Sequence, residues 1–282
     1  MTPARPGLLT RMRRTMPIVT WIALVWICAT ILVAIFADQL RPAPITQMSL
    51  TNRLALPGTP GHVLGTDDLG RDVLSRLIQS IRISLVIAFG ATIISALLGT
   101  TLGFLAAQFR GWVEGLVMAL ADFQAALPFM IMSLAVLAFF GTSMTLLVCL
   151  MGLYGWERYA RIARGLAISA QAQGYAAAVI QLGAHPLRVH LRHILPNVAS
   201  TLIVSMTLTF PEVILMESSL SFLGLGVQPP GTSLGNMVGF GREYLTRAPW
   251  IMLAPSLVIV LTTLSISLLG DWLRDRLDPT LR

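Results

Sequence analysis

The stretch ISLVIAFGATIISALLGTTLGFLAAQF, residues 83–109, lies between Arg82 and Arg110 and contains no charged residue. A transmembrane helix needs about 20 consecutive apolar residues, so this run is long enough to cross a bilayer. The whole chain of 282 residues agrees with this reading, because it is 55% hydrophobic and only 12% charged. A soluble domain has about 25% charged residues. The composition therefore excludes an ordinary cytosolic enzyme, a disordered chain and a coiled coil, and it indicates a polytopic membrane protein.

Other apolar windows predict five more membrane helices, one before residues 83–109 and four after them. They cover residues 15–37, about 115–140, about 144–164, about 197–222, and 248–270. Pro128 is expected to kink the third helix, and the polar break at residues 141–143 separates it from the fourth. The first window is too long for a cleavable signal peptide. We therefore predict an all-α fold with six transmembrane helices.

The distribution of arginine predicts the orientation of these helices. All 20 basic residues are Arg, and an even number of spans puts both termini on the same side. If that side is the cytosol, 13 Arg fall in inner segments and 7 in outer ones, in agreement with the positive-inside rule. Residues 1–14 and 273–282 are then cytosolic tails.

The first outer segment, residues 38–80, is predicted to be an external loop that contains an amphipathic helix. From Asp68 onward, apolar and polar residues alternate at helical spacing. The apolar face consists of Val73, Leu74, Leu77, Ile78 and Ile81, and the polar face of Arg71, Asp72, Arg76 and Gln79. Such a helix lies at the membrane surface. It either meets an external partner or only leads into the second span, and the pattern alone leaves both open.

The inner segment 157–196 is much longer than a hairpin between two spans requires. An Ala-rich helical stretch, then Gly183 and a short basic stretch ending at Pro196 predict an element that protrudes into the cytosol. His185, His190 and His193 lack acidic or Cys neighbours, so a zinc site is not expected. Cys28 and Cys149 lie inside apolar runs and are expected to be small buried hydrophobic residues.

The chain contains no ATP-binding P-loop, no nucleophile–base pair and no metal-ligand cluster in its sequence. We therefore expect a transport subunit and not an enzyme, with no cofactor and no metal. Two other classes stay open from the residues alone. One is a self-sufficient secondary transporter, which favours inverted repeats and broken helices. The other is a membrane scaffold that transports nothing.

Four segments in order along the chain resemble landmarks of one family. They are GTDDLGRDVLSR (65–76), YAAAVIQLGAHPLRVHLRHILPN (175–197), LSFLGLGVQPP (220–230) and GDWLRDRLDP (270–279). On these motifs the chain resembles the permease subunits of binding-protein-dependent ABC importers of the dipeptide/oligopeptide/nickel subfamily. Within that subfamily it looks like the second, "C-type", permease of the pair.

The resemblance implies a type I ABC importer permease, with a core at 81–272 and a cytosolic coupling helix in a loop at about 165–196. It implies a second, homologous permease subunit, two ATP-binding subunits that hydrolyse ATP, and an extracytoplasmic solute-binding protein. Membrane lipid surrounds the chain in the cell (inner) membrane, and no nucleic acid is involved. The expected solute is a di- or oligopeptide, with nickel or another small solute as the alternative.

The resemblance also implies which residues couple the chain to the ATPase. They are Tyr175, Ala177, Ala178, Gly183, Leu195 and Pro196. The chain departs from the family pattern at three positions. Ala177 stands where the coupling loop usually has Glu, Leu234 where Trp is usual, and Glu212 where an apolar residue is expected.

Acidic residues inside membrane helices are costly and therefore indicate a function. Asp122 and Glu217 are expected either to line the translocation pathway or to pair with groups on neighbouring helices. Glu212 and Glu217 are five residues apart, about 140° around a helix, so at most one of them lines the pathway if the helix is straight.

Overall fold

The computed structural model describes residues 16–171, 192 and 194–277. Within these ranges the chain forms ten α-helices and two short 3-10 helices, and no β-strand. The α-helices are α1 (Ile18–Ile35), α2 (Ala37–Leu40), α3 (Val73–Phe109), α4 (Gly111–Ala126), α5 (Phe129–Phe140), α6 (Met144–Gly152), α7 (Trp156–Gln171), α8 (Leu195–Phe222), α9 (Leu234–Gly241) and α10 (Trp250–Leu277). The 3-10 helices are Leu50–Asn52 and Arg242–Tyr244.

Four of the described helices, α1, α3, α8 and α10, are long and apolar enough to cross a membrane. The pair α4 and α5 makes a fifth span if the two are counted together. The predicted count of six is therefore not confirmed. The reason lies in the predicted fourth helix, which the structure divides at residues 153–155 into α6 and α7. The nine residues of α6 extend only about 14 Å, which is less than half of the hydrocarbon core.

Two sequence-based boundaries agree with the structure. The expected kink at Pro128 is a full break, because α4 and α5 meet at 87° across Leu127 and Pro128. Helix α5 ends at Phe140, before Gly141 with φ +78°. Helix α6 begins after Ser143, whose hydroxyl accepts a hydrogen bond from the Leu146 backbone N–H at 3.1 Å.

Helix α3 is the central element of the fold and packs against α1, α6, α7 and α8. Its 37 residues extend about 55 Å, well beyond the roughly 30 Å of a hydrocarbon core. The largest apolar cluster surrounds its N-terminal half and includes residues of α8, α9 and α10. A smaller cluster surrounds its C-terminal end, where Phe104 and Ala107 contact α7 and the start of α8. Helix α3 thus connects the two ends of the molecule.

The predicted amphipathic helix leads directly into the second span. The apolar face of that segment forms the first turns of α3, which begins at Val73 and continues without a break into the span. Part of the predicted polar face is buried as well, since Asp72 and Arg76 are 4% and 6% exposed. Arg76 donates to Asp67 in the preceding loop at 2.5 Å. The sequence pattern showed which residues are polar, but not that a folded loop covers them.

The two cysteines also differ from expectation, because Cys28 and Cys149 are both exposed on helix surfaces. Each lies in an apolar run, as predicted, but on the side of its helix that faces away from the rest of the chain. In a membrane protein the outer surface is as apolar as the core. An apolar neighbourhood in the sequence therefore does not distinguish a core position from a lipid-facing one.

Candidate coupling site

Helix α7 carries three arginines on successive turns, at positions 158, 161 and 164. Each forms an ion pair with an acidic residue of another helix. Arg158 pairs with Glu212 of α8 at 3.1 Å, and Arg161 pairs with Asp122 of α4 at 2.8 Å. The Nε of Arg164 donates to Glu114 of α4 at 2.6 Å.

The spacing of the three arginines explains why they reach two different helices. Residues three apart on an α-helix differ by about 60° in direction, so Arg158 and Arg164 point about 120° apart. One therefore faces α8 and the other α4. All three side chains are 34–46% exposed, and partly exposed pairs of this kind contribute about 0–1 kcal/mol each. Their main effect is to fix the direction of α7 relative to α4 and α8.

The opposite face of α7 packs closely against α3. Ala160 and Ala163 on this face are fully buried, and they lie against Gly99 and Gly103 of α3. A Cβ added at Gly99 would lie 2.2 Å from the Trp156 carbonyl oxygen, and one at Gly103 would lie 2.4 Å from the Ala160 carbonyl oxygen. Only glycine permits this distance, as in other membrane helix pairs with small residues four apart. We call this contact the glycine–alanine seam.

The glycine–alanine seam continues into the smaller apolar cluster. This cluster joins the end of α7 to the start of α8, on either side of the predicted coupling residues. Ala167 and Ala170 from the end of α7 pack with Ile194 and Val198 at the start of α8. Residues on both sides of the predicted coupling loop are thereby held in one contact.

The predicted coupling residues fall into two groups. Leu195 and Pro196 are the first two residues of α8, where a proline fits because the first N–H groups of a helix have no partner within it. Leu195 is half-buried and packs against the smaller cluster. Four others lie outside the described residues, namely Tyr175, Ala177, Ala178 and Gly183. The basic stretch after Gly183, with its histidines at 185, 190 and 193, also lies outside them.

The two predicted intramembrane acids lie in different places. The Asp122 side chain is 73% exposed and pairs with Arg161, at the end of the molecule where α7 lies. Glu217 is 1% exposed and accepts a hydrogen bond from Ser221 at 2.7 Å. It belongs to a buried polar cluster between α3, α8 and the start of α9. The hydroxyl residues of this cluster are Ser80, Ser84, Ser221, Thr232 and Ser233.

The ion pairs of α7 are a feature that the sequence analysis missed. A signal was present in the sequence. Three acids in otherwise apolar helices each need a partner, and α7 has three arginines at spacing of three. A second missed feature is the burial of Asp67 in the GTDDLGRDVLSR motif, where this side chain is 0% exposed. Asp67 accepts from the backbone N–H groups of Leu69 and Arg71 at 2.9 Å each.

Comparisons with known proteins identify the family of this chain. Residues 99–282 match the family of binding-protein-dependent transport system inner membrane components. The chain is 40% identical to the di/tripeptide transport system permease protein DppC of Pseudomonas aeruginosa, covering 80% of this chain and 74% of the relative. It is 35% identical to the glutathione transport system permease protein GsiD of Pectobacterium atrosepticum, covering 89% and 84%. It is also 35% identical to the oligopeptide transport system permease protein OppC of Bacillus subtilis, covering 93% and 85%.

A solved structure supports the fold. The chain resembles a chain of the MetNI methionine ABC transporter in inward-facing conformations, with a TM-score of 0.53 and 18% identity. The match covers 72% of this chain and 94% of the other. The family match includes the glycine–alanine seam, the arginines of α7 and the predicted coupling segment. This chain therefore belongs to the binding-protein-dependent transport system inner membrane components and is a permease subunit of an ABC importer.

Proposed function

We propose that this chain forms half of the translocation pathway of a peptide importer, and that α7 and residues 172–194 couple it to a separate ATPase. The choice of solute rests on the relatives, several of which are named as dipeptide, di/tripeptide or oligopeptide permeases at 33–40% identity. The partners we propose are a second, homologous permease subunit, two ATP-binding subunits and an extracytoplasmic solute-binding protein. ATP hydrolysis belongs to those ATP-binding subunits.

The orientation in this proposal follows from the arginine distribution. Both termini are cytoplasmic, and the end of the molecule with α7 and the C-terminus of α3 faces the cytosol. The loops at 41–72 and 223–249 then lie outside, where the solute-binding protein approaches. The 13 Arg in the inner segments support this orientation.

The attachment of α7 on three sides is the observation that carries the coupling proposal. The glycine–alanine seam joins it to α3, Arg161 and Arg164 join it to α4, and Arg158 joins it to α8. An element held in this way cannot shift alone, so movement at its end passes to the three helices. For Asp122 and Glu217 we propose helix packing and not pathway lining, which is supported by the bond from Arg161 to Asp122 and by the burial of Glu217.

The coupling proposal is tested by enlarging Gly183 in liposomes that hold both permeases, the ATPases and the binding protein. We expect Gly183→Leu to uncouple the system, so that solute uptake falls at least tenfold relative to ATP hydrolysis. The matched control is Gly165→Leu on α7, where an added Cβ meets no atom within 4 Å. Unchanged uptake and unchanged stimulated hydrolysis in Gly183→Leu would refute the coupling role.

A further inference from the structure

A groove between α1 and α3 is not used by the coupling mechanism. It consists of two cavities of about 410 and 380 Å³, and both are lined by Phe89 of α3. The first lies between Ile31 and Ile35 of α1 and Leu85 of α3, with Arg82 at one end. The second continues between Ile27 of α1 and neighbouring residues of α3, α8 and α10. Apart from Arg82 and two threonines, the lining side chains are apolar.

The groove has the length of one leaflet of a bilayer. Arg82 is the last charged residue before the uncharged run 83–109, and we place the edge of the hydrocarbon region near it. Ile93, at the far end of the groove, is eleven residues further along α3, or about 16 Å. Half of a hydrocarbon core of roughly 30 Å is about 15 Å. The groove therefore extends from the membrane surface to the middle of the bilayer.

A basic site lies at the surface end of the groove. Nη1 of Arg82 donates to Asp38 at 2.7 Å, and Nη2 of Arg41 lies 3.1 Å from the other oxygen of the same carboxylate. The hydrogen bond from Arg82 holds the pKa of Asp38 below its ordinary value, so Asp38 is ionised. Two guanidinium groups and one carboxylate leave a net charge of +1. Each guanidinium has five N–H donors, and both side chains are about a third exposed.

We propose that this groove binds one anionic phospholipid, with an acyl chain along α1 and α3 and its phosphate at Arg82 and Arg41. Three observations agree on this occupant: the apolar lining, the length of one leaflet and the positive charge at the surface end. A guanidinium group suits a phosphate, because it can donate two parallel N–H hydrogen bonds to the phosphate oxygens. The acyl chain then contacts both α1 and α3, beside the direct contacts of α1 with α3 and α10.

The proposal is tested by native mass spectrometry of the full chain in mild detergent with added phosphatidylglycerol or phosphatidylethanolamine. We expect one tightly bound phosphatidylglycerol and weaker binding of phosphatidylethanolamine. Arg82→Gln should weaken phosphatidylglycerol binding about fivefold, the factor that one basic residue near an anionic surface contributes. Arg247→Gln, an exposed arginine outside the groove, should have no effect. The proposal would be overturned if both lipids bind equally well and if Arg82→Gln does not change their binding.

A second experiment identifies the occupant in the membrane. Val86 lines the first cavity and is 52% exposed, so a photoreactive benzoylphenylalanine there reports what the groove contains. We expect cross-links to phospholipid in the assembled importer, and fewer of them when Ala34→Trp fills the cavity. Cross-links to the second permease subunit, or none to lipid, would contradict the proposal.

Discussion

Replacing Gly99 with alanine is expected to disturb the glycine–alanine seam and to loosen the coupling of α7. The new Cβ would lie 2.2 Å from the Trp156 carbonyl oxygen and 2.5 Å from the Tyr159 Cβ. An ordinary contact needs about 3.4 Å, so α3 and α7 must move apart by about 1 Å. Neither obstacle is the flexible end of a side chain, so local rotation cannot relieve the clash.

The expected cost follows from two opposing terms. Alanine in a helix interior is favoured over glycine by about 1 kcal/mol, whereas overpacking of a close interface costs about 1–3 kcal/mol. Because the clash involves backbone, we expect the second term to win, with a net loss toward the upper end of the resulting range of about 0–2 kcal/mol. A shift of about 1 Å would also lengthen the 2.8 Å pair between Arg161 and Asp122 toward the 4 Å limit of an ion pair.

The assay is thermal unfolding of the purified importer, followed by the ratio of solute uptake to ATP hydrolysis in liposomes. Gly99→Ala should lower both the unfolding temperature and this ratio. Gly165→Ala on α7 and Gly115→Ala on α4 are the controls, because an added Cβ at either position meets no atom within 4 Å. Their unfolding temperatures should stay equal or rise. The reasoning is refuted if Gly99→Ala behaves like these controls.

Three further substitutions test contacts elsewhere in the chain. Asp67→Asn should destabilise the fold by about 3–5 kcal/mol, because it leaves the buried Arg76 without the carboxylate that pairs with it. If thermal unfolding shows a loss of stability below about 1 kcal/mol, the role of this pair is contradicted. Glu217→Ala should cost about 1–3 kcal/mol by leaving buried hydroxyls unpaired, whereas Glu217→Gln keeps an acceptor for Ser221 and should cost under about 1 kcal/mol. Equal losses for the two variants would argue against a packing role. A double-mutant cycle of Arg161→Ala and Asp122→Ala should give a coupling energy of about 0.2–1 kcal/mol, because both side chains are largely exposed. A coupling energy above about 2 kcal/mol would mean that the pair is desolvated in the assembled importer.

The positions of the long helices could be predicted from the sequence because the bilayer imposes a minimum apolar length. The windows 83–109, 197–222 and 248–270 lie within or close to α3, α8 and α10. The division of the predicted fourth helix could not be predicted in the same way. Gly155 takes a left-handed φ of +79° there, but a single glycine in a helical pattern is usually tolerated.

The candidate site could also be predicted only in part from the sequence. The resemblance of the motifs indicated the coupling segment. The partners of the three arginines of α7 depend on how α4 and α8 pack around α7, which sequence spacing does not specify. For the same reason the pattern left Arg76 on a polar face, although a folded loop buries it.

The most direct measurement is solute uptake into liposomes that hold this chain, the second permease, the ATPases and the binding protein. We predict that dipeptides or longer peptides enter only when ATP and the binding protein are both present, and that nickel does not enter. Uptake by this chain alone, driven by an ion gradient without ATP, would contradict the importer and indicate a secondary transporter.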